Sequence, residues 1–161
     1  MLKLHLLRHA EAPSAFNVSD KDRPLSPHGI QQAKSIADHL KHVDLVLCSS
    51  ALRTQMTCKA LTEAGANFET VKYLDELYNA SAETLLNTVR SSISQNILVI
   101  AHNPGIHAFS TMMMGDGKST DIEKVNLFYH PATLSVFECP IENWSDIQPF
   151  KNTLIDLVIP D

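Results

Sequence analysis

The chain has 161 residues, 44% of them apolar and 19% charged, with 13 basic and 18 acidic side chains and a formal charge of −5. That length and apolar content suit one domain with a real core, and the acidic balance excludes a general nucleic-acid binder, which needs a basic face. No apolar stretch approaches the roughly 18 to 20 residues that span a bilayer. Cys48, Cys58 and Cys139 are too scattered for a disulfide framework or a zinc site, so the expectation is a reduced, cytoplasmic protein.

Leucines at 2, 4, 6 and 7 mark a first strand that ends abruptly in Arg8-His9. Residues 12–24 read as a loop rich in Pro, Asn, Ser and Asp. Ser26 as N-cap and Pro27 at the first helical position then open an amphipathic helix over 27–42, with Ile30, Ala33, Ile36, Ala37 and Leu40 at spacings of three and four. Residues 44–48 form a second strand and 51–64 a second helix, closed by Gly65. A short strand over 70–74 leads to Asp75-Glu76. Ser81 caps a third helix carrying Leu85, Leu86, Val89 and Ile93. The third strong strand is 97–101, and Pro104 opens a helix through Ile106, Phe109 and Met113 that Gly115-Asp116-Gly117-Lys118 breaks. Residues 116–121 read as a solvated loop, and Met112 to Met114 as core filling. Residues 125–129 and 133–138 predict a hairpin across His130-Pro131. A final strand lies near 153–159, with Trp144 and Phe150 expected to anchor the tail on the sheet. The alternation of strands and helices predicts a three-layer α/β/α sandwich whose mostly parallel sheet gains an antiparallel edge from the C-terminal tail. The expected organisation is one domain, 1–161.

Three apolar runs share one design: each breaks into a polar residue and then a helix signal, with Arg8-His9, Arg53 and His102 at the junctions. As neighbouring parallel strands they would bring these four side chains to one carboxyl edge, where ligands of open α/β sheets bind. Two guanidinium forks suit the oxygens of a phosphate. Positive neighbours hold an imidazole neutral and therefore nucleophilic. Such an imidazole can take a phosphoryl group covalently, while a second one donates to the oxygens as charge develops. The helix N-termini at Ala51 and Pro104 would add backbone donors. The parts describe phosphoryl transfer through a phosphohistidine. Metal catalysis fits less well, because on a strand the i, i+4 pair His5 and His9 stands about 13 Å apart.

Arg8-His9-Ala10-Glu11, the run from Arg23 to Ala33, the run from Ser49 to Thr57, and Ala101-His102-Asn103-Pro104 stand in that order within residues 4–104. Together they resemble the R-H-G, R-x-L-[ST]-x-x-G-x-x-Q-A, S-x-x-x-R-[TA]-x-x-T and G-H-N-P blocks of the histidine phosphatase superfamily, also called phosphoglycerate-mutase-like. The resemblance implies that His9 is the phosphorylated nucleophile and that Arg8, Arg53 and His102 form the phosphate pocket. It makes Arg23 a fifth contact and Glu76, after the third strand, the candidate proton donor. It implies no cofactor and no metal.

Departures from the blocks narrow the expectation. Ala10 and Ala101 replace glycines, and Ala12 and Ala15 stand where many sugar-phosphate enzymes of the superfamily carry Ser or Thr and Asn. The span between the second strand and Glu76 leaves no room for the helical cap of mutases and larger phosphatases. This anatomy resembles the small SixA-type phosphohistidine phosphatases. It implies removal of phosphate from phosphohistidine on a partner protein, such as a histidine phosphotransfer domain, with no nucleic-acid or membrane partner. Two alternatives stay open: a phosphatase of small phosphate esters or phosphoserine, and a non-catalytic phosphate-binding module.

Overall fold

In the computed structural model, which describes residues 1–161, seven strands form one sheet. They are β1 (Leu2–Arg8), β2 (Val43–Ser49), β3 (Phe68–Leu74), β4 (Asn96–Ala101), β5 (Met114–Gly117), β6 (Leu134–Cys139) and β7 (Asn152–Val158), in the order β3-β2-β4-β1-β6-β7-β5. Five helices cover it: α1 (Pro27–Ser35), α2 (Leu52–Glu63), α3 (Ala82–Arg90), α4 (Gly105–Met113) and α5 (Ser119–Leu127). The three apolar runs are central, with β4 pairing in parallel with both β1 and β2. Only β6 runs against its neighbours, antiparallel to β1 and to β7, while β5 pairs in parallel with β7 at the sheet's edge. The expected α/β architecture is borne out, with the tail's antiparallel strand set inside the sheet.

Each central strand is buried on both faces, so its residues alternate between two apolar layers rather than between core and water. Leu4, Leu6, Leu45, Leu47, Ile97 and Val99 pack with Leu85, Val89, Phe109 and Met113 of α3 and α4. Leu7, Val46, Cys48, Leu98 and Ile100 pack on the other face with Ile36, Leu40, Cys58 and Leu61. The cysteines at 48, 58 and 139 are free and buried, and pack as small hydrophobes. No helix is long and apolar enough to cross a membrane.

Four local expectations are corrected. The predicted helix over 27–42 stops at Ser35 and continues as a 3-10 turn, Ala37–His39. There the Leu40 N–H bonds three residues back to Ala37, a tighter winding that turns Ile36, Ala37 and Leu40 all inward. The predicted hairpin does not form. Val125 to Leu127 finish α5, and Val125 and Tyr129 are buried while Leu127 and Phe128 between them are exposed. An apolar run that short cannot be told from a helix end by its period. Nor is 116–121 a loop: Asp116-Gly117 belong to β5, and Ser119 begins α5. Trp144 anchors the tail, fully buried with its Nε1–H donating to the Ser94 carbonyl, but Phe150 is exposed.

Two glycines allow helices to reach the carboxyl edge of the sheet. A Cβ on Gly29 would stand 2.3 Å from the Glu11 carbonyl oxygen, and one on Gly105 would stand 1.9 Å from that of Ala80. Gly105→Ala therefore forces α4 away from the loop before α3. Its urea midpoint is expected to drop by the equivalent of about 1–3 kcal/mol, with an unchanged m-value; an unchanged midpoint would show that the contact yields freely.

Candidate active site

The register of the sheet assembles the site. Arg8 pairs across the ladder with Ala101, so His9 and His102 leave β1 and β4 side by side, with ring centroids 5.2 Å apart. β2 ends at Ser49, and α2 begins three residues later with Arg53 in its first turn. The resulting cleft holds about 370 Å³ and is lined by Arg8, His9, Glu11, Asp20, Arg23, Arg53, Asn79, His102 and Asn103, among others. Five of the six residues singled out in the sequence meet here. Glu76 does not: it lies exposed on a 3-10 turn, Asp75–Leu77, that follows β3.

The orientation of His9 is fixed by one hydrogen bond. Its Nδ1–H donates to the Ala10 carbonyl at 2.7 Å, and a carbonyl can only accept, so the proton sits on Nδ1 and Nε2 keeps its lone pair. Burial, then the proximity of His102, Arg53 and Arg8, pushes the His9 pKa down to about 3. Burial and then Arg53 push His102 to about 4. Both imidazoles are thus neutral near pH 7. His102 shares a 2.7 Å hydrogen bond with the Ser49 hydroxyl through Nε2, while its Nδ1 is buried with no protein partner.

The arginines are held from behind. Arg8 donates through Nη1 to the Tyr129 carbonyl at 3.0 Å, which also accepts from the Asn103 amide. The Tyr129 hydroxyl in turn donates to the Leu6 carbonyl. Burial, then Arg53, lowers the Arg8 pKa from its ordinary value. Arg53 is 3% exposed and donates through Nη1 to the Asp20 carbonyl at 2.7 Å. The Asp20 carboxylate also bonds Arg53 Nη2 at 3.2 Å, Arg23 Nε at 3.1 Å and the Tyr78 hydroxyl. Tyr78 sets its ring edge-on to His102, centroids 5.6 Å apart. The Nε atoms of Arg8 and Arg53, like His102 Nδ1, are buried without partners. A buried donor left unpaired costs about 1–3 kcal/mol, and a tetrahedral oxyanion offers acceptors to several such groups at once.

Sequence reasoning missed Asp20, Tyr78 and Asn103. Asp20 and Asp22 both lie in the loop, and nothing in the order of residues says which one turns to the arginines. Ser49 was legible as the first serine of its block. Tyr78 carried no signal beyond standing two residues after Glu76.

Comparison with known proteins agrees with this geometry. The model of the histidine phosphatase superfamily (branch 1) matches residues 4–92, which include Arg8, His9, Arg23 and Arg53. A solved structure of a candidate phosphohistidine phosphatase SixA from Nakamurella multipartitia is 30% identical, with TM-score 0.84 over 99% of this chain and 96% of that one. A similarly described SixA from Agrobacterium tumefaciens is 28% identical, with TM-score 0.80 over 99% of both chains. An uncharacterized protein of Mycobacterium leprae is 31% identical over 126 residues, covering 71% of this chain and 75% of that protein. The chain belongs to the histidine phosphatase superfamily, in its SixA-type branch. It is a phosphatase, a hydrolase acting on a phosphorylated substrate.

The neutral histidines tie stability to pH. Below their unfolded value of 6.5, His9 and His102 bind protons in the unfolded chain but not in the fold, so stability is full above 6.5 and falls as pH drops towards their folded values near 3 and 4. From pH 6.5 to about pH 5, each histidine is expected to remove roughly 1.5 kcal/mol. Urea titrations across that range should give a flatter profile for His9→Gln/His102→Gln than for the wild type; superimposable profiles would mean that the histidines charge freely in the fold.

Proposed function

We propose that this phosphatase removes phosphate from phosphohistidine on a partner protein, through a phosphoryl group carried on His9 and without a metal ion. The observation that carries the reading is the His9 Nδ1–H bond to the Ala10 carbonyl, which leaves Nε2 as a free lone pair beside Arg8, Arg53 and His102. In this reading Arg8, Arg23, Arg53 and His102 hold the phosphoryl oxygens. Residues 1–161 act as one domain without a cap over the cleft. An open cleft suits a phosphoryl group presented on the surface of another protein, such as a histidine phosphotransfer domain. The likeness to two SixA structures supports the same substrate class.

The proton inventory favours a phosphoramidate over an alkyl ester. In a phosphohistidine protonated on its second ring nitrogen, the His9 Nε2 pair forms the new N–P bond as the old N–P bond breaks. The released pair returns to the leaving ring, which departs as neutral imidazole, so no proton moves. Water then attacks phosphorus, the pair returns to Nε2, and both water protons leave on dihydrogen phosphate. An alkyl ester would instead leave an alkoxide that needs a proton donor. Glu76 lies outside the cleft lining, and hydrogen bonding from Tyr78, then Arg53 and Arg23, holds Asp20 ionised with a pKa lowered to about 2. We therefore assign Glu76 no proton transfer.

The test is dephosphorylation of a phosphohistidine-bearing phosphotransfer domain in the presence of a chelator. Wild type is expected to be active, His9→Ala to fall to background, and Arg53→Ala to lose about 100-fold or more. Turnover of p-nitrophenyl phosphate alone would keep the role of His9 and overturn the substrate. Phosphate binding with no turnover of either would leave a binding module.

A further inference from the structure

Asp20 is a half-exposed carboxylate whose neighbours are all donors. Oδ1 lies 3.1 Å from both Nε and Nη2 of Arg23, and Oδ2 faces Arg53 Nη2 at 3.2 Å and the Tyr78 hydroxyl. It is placed by a 3-10 turn, Asp20–Asp22, whose first carbonyl also accepts from Arg53. Only one other carboxylate lines the cleft, that of Glu11, and it is occupied by the Ser26 hydroxyl at 2.7 Å. His9 stands on the cleft floor, 6% exposed, while the Asp20 side chain is 53% exposed at the rim. In-line displacement puts the leaving group opposite the nucleophile. Attack by His9 from the floor therefore sends the leaving group outward, past the rim on which Asp20 stands.

We infer that Asp20 determines specificity: it accepts the N–H of a protonated imidazole leaving group, and so selects phosphoramidates of cationic rings over esters that depart as anions. This rests on the proposed phosphohistidine substrate. As the phosphoryl oxygens take up donors of Arg53 and Arg23, lone pairs of Asp20 turn to the ring N–H of the departing imidazole. The proton on that nitrogen stays there: the carboxylate attracts the cationic ring as it binds and keeps its N–H bond while the N–P pair returns to the ring, which leaves as neutral imidazole. A nitrophenolate leaving group brings negative charge to the same carboxylate and is disfavoured. Asp20 also holds Arg53, so a loss of phosphoryl binding must be separated from a loss of leaving-group selection. A charge-assisted hydrogen bond accounts for about 10- to 100-fold of selectivity.

The experiment measures kcat/KM of the full chain for N-phosphoimidazole and for p-nitrophenyl phosphate, together with the inhibition constant of inorganic phosphate. It compares wild type, Asp20→Asn and Asp20→Glu, with folding checked by circular dichroism. The ratio of the two kcat/KM values cancels any loss of phosphoryl binding common to both substrates. The expected result is a ratio favouring N-phosphoimidazole in wild type, reduced about 10- to 100-fold in Asp20→Asn and largely restored in Asp20→Glu. If Asp20→Asn weakens both substrates and phosphate by one common factor, Asp20 only positions Arg53 and the inference is overturned. If wild type does not turn over N-phosphoimidazole or phosphohistidine protein at all, it is the substrate reading that fails.

Discussion

The architecture depends on one unfavourable concentration of charge. Arg53, almost fully buried, stands in the first turn of α2, where the helix dipole is positive and a cation is least welcome. Arg8 lies close enough to feel the Arg53 guanidinium, which after burial lowers its pKa. Two histidines share the space and stay uncharged, because burial and the two cations both oppose their protonation. One carboxylate, Asp20, supplies the counter-charge from the rim. A fold built for stability alone would not gather these groups. The arrangement becomes favourable when a doubly charged oxyanion enters it.

The frame that tolerates this strain comes largely from the part of the chain without a motif. β6 inserts against β1 on the side away from β4, so that Arg8 and His9 leave a strand paired on both edges. The Ala132 N–H donates to the carbonyls of Arg8 and His9, and the Thr133 carbonyl accepts from the Arg8 N–H. The Tyr129 carbonyl accepts from both Arg8 and Asn103, while its hydroxyl is tied to β1 and to a buried pair, Ser110 and Ser135. Residues 129–133, between the end of α5 and the start of β6, thereby set the aim of an arginine that the first strand delivers. Thr57 adds a similar restraint from α2 by accepting the Ala10 N–H at 3.0 Å.

The strands and the floor of the cleft were legible because their signals are local. An apolar run of strand length, a polar break and a helix cap describe a carboxyl edge in a dozen residues, and three such runs put Arg8, His9, Arg53 and His102 together. The rim was not legible for the opposite reason. Asp20 reaches Arg53 across 33 residues and Tyr78 across 58, and the loop that carries it offers Asp22 as an equal choice. Glu76 was singled out by its place after β3, yet the turn there buries Leu77 and gives Tyr78 and Asn79 to the site. The C-terminal third was misread where apolar residues serve a helix end, because Val125 and Tyr129 meet the core while Leu127 and Phe128 between them are exposed.

An imidazole as poorly basic as His9 would make a weak nucleophile if its environment were constant, since nucleophilic strength falls with basicity. It is not constant. Burial is the largest cause of the low pKa, and the remaining lowering comes from His102, Arg53 and Arg8. A phosphoryl group bound between the arginines opposes their field at Nε2, so the substrate itself raises the basicity of the atom that attacks it. Before binding, burial first and the same field after it keep His9 unprotonated down to acidic pH, and the bond to Ala10 keeps the lone pair on the correct nitrogen. The two arginines therefore act twice, first by holding the nucleophile neutral and then by losing that influence to the group they bind. Replacing either by a neutral side chain would weaken both effects, which is why the cleft places its fixed positive charges beside the imidazole rather than only at the mouth.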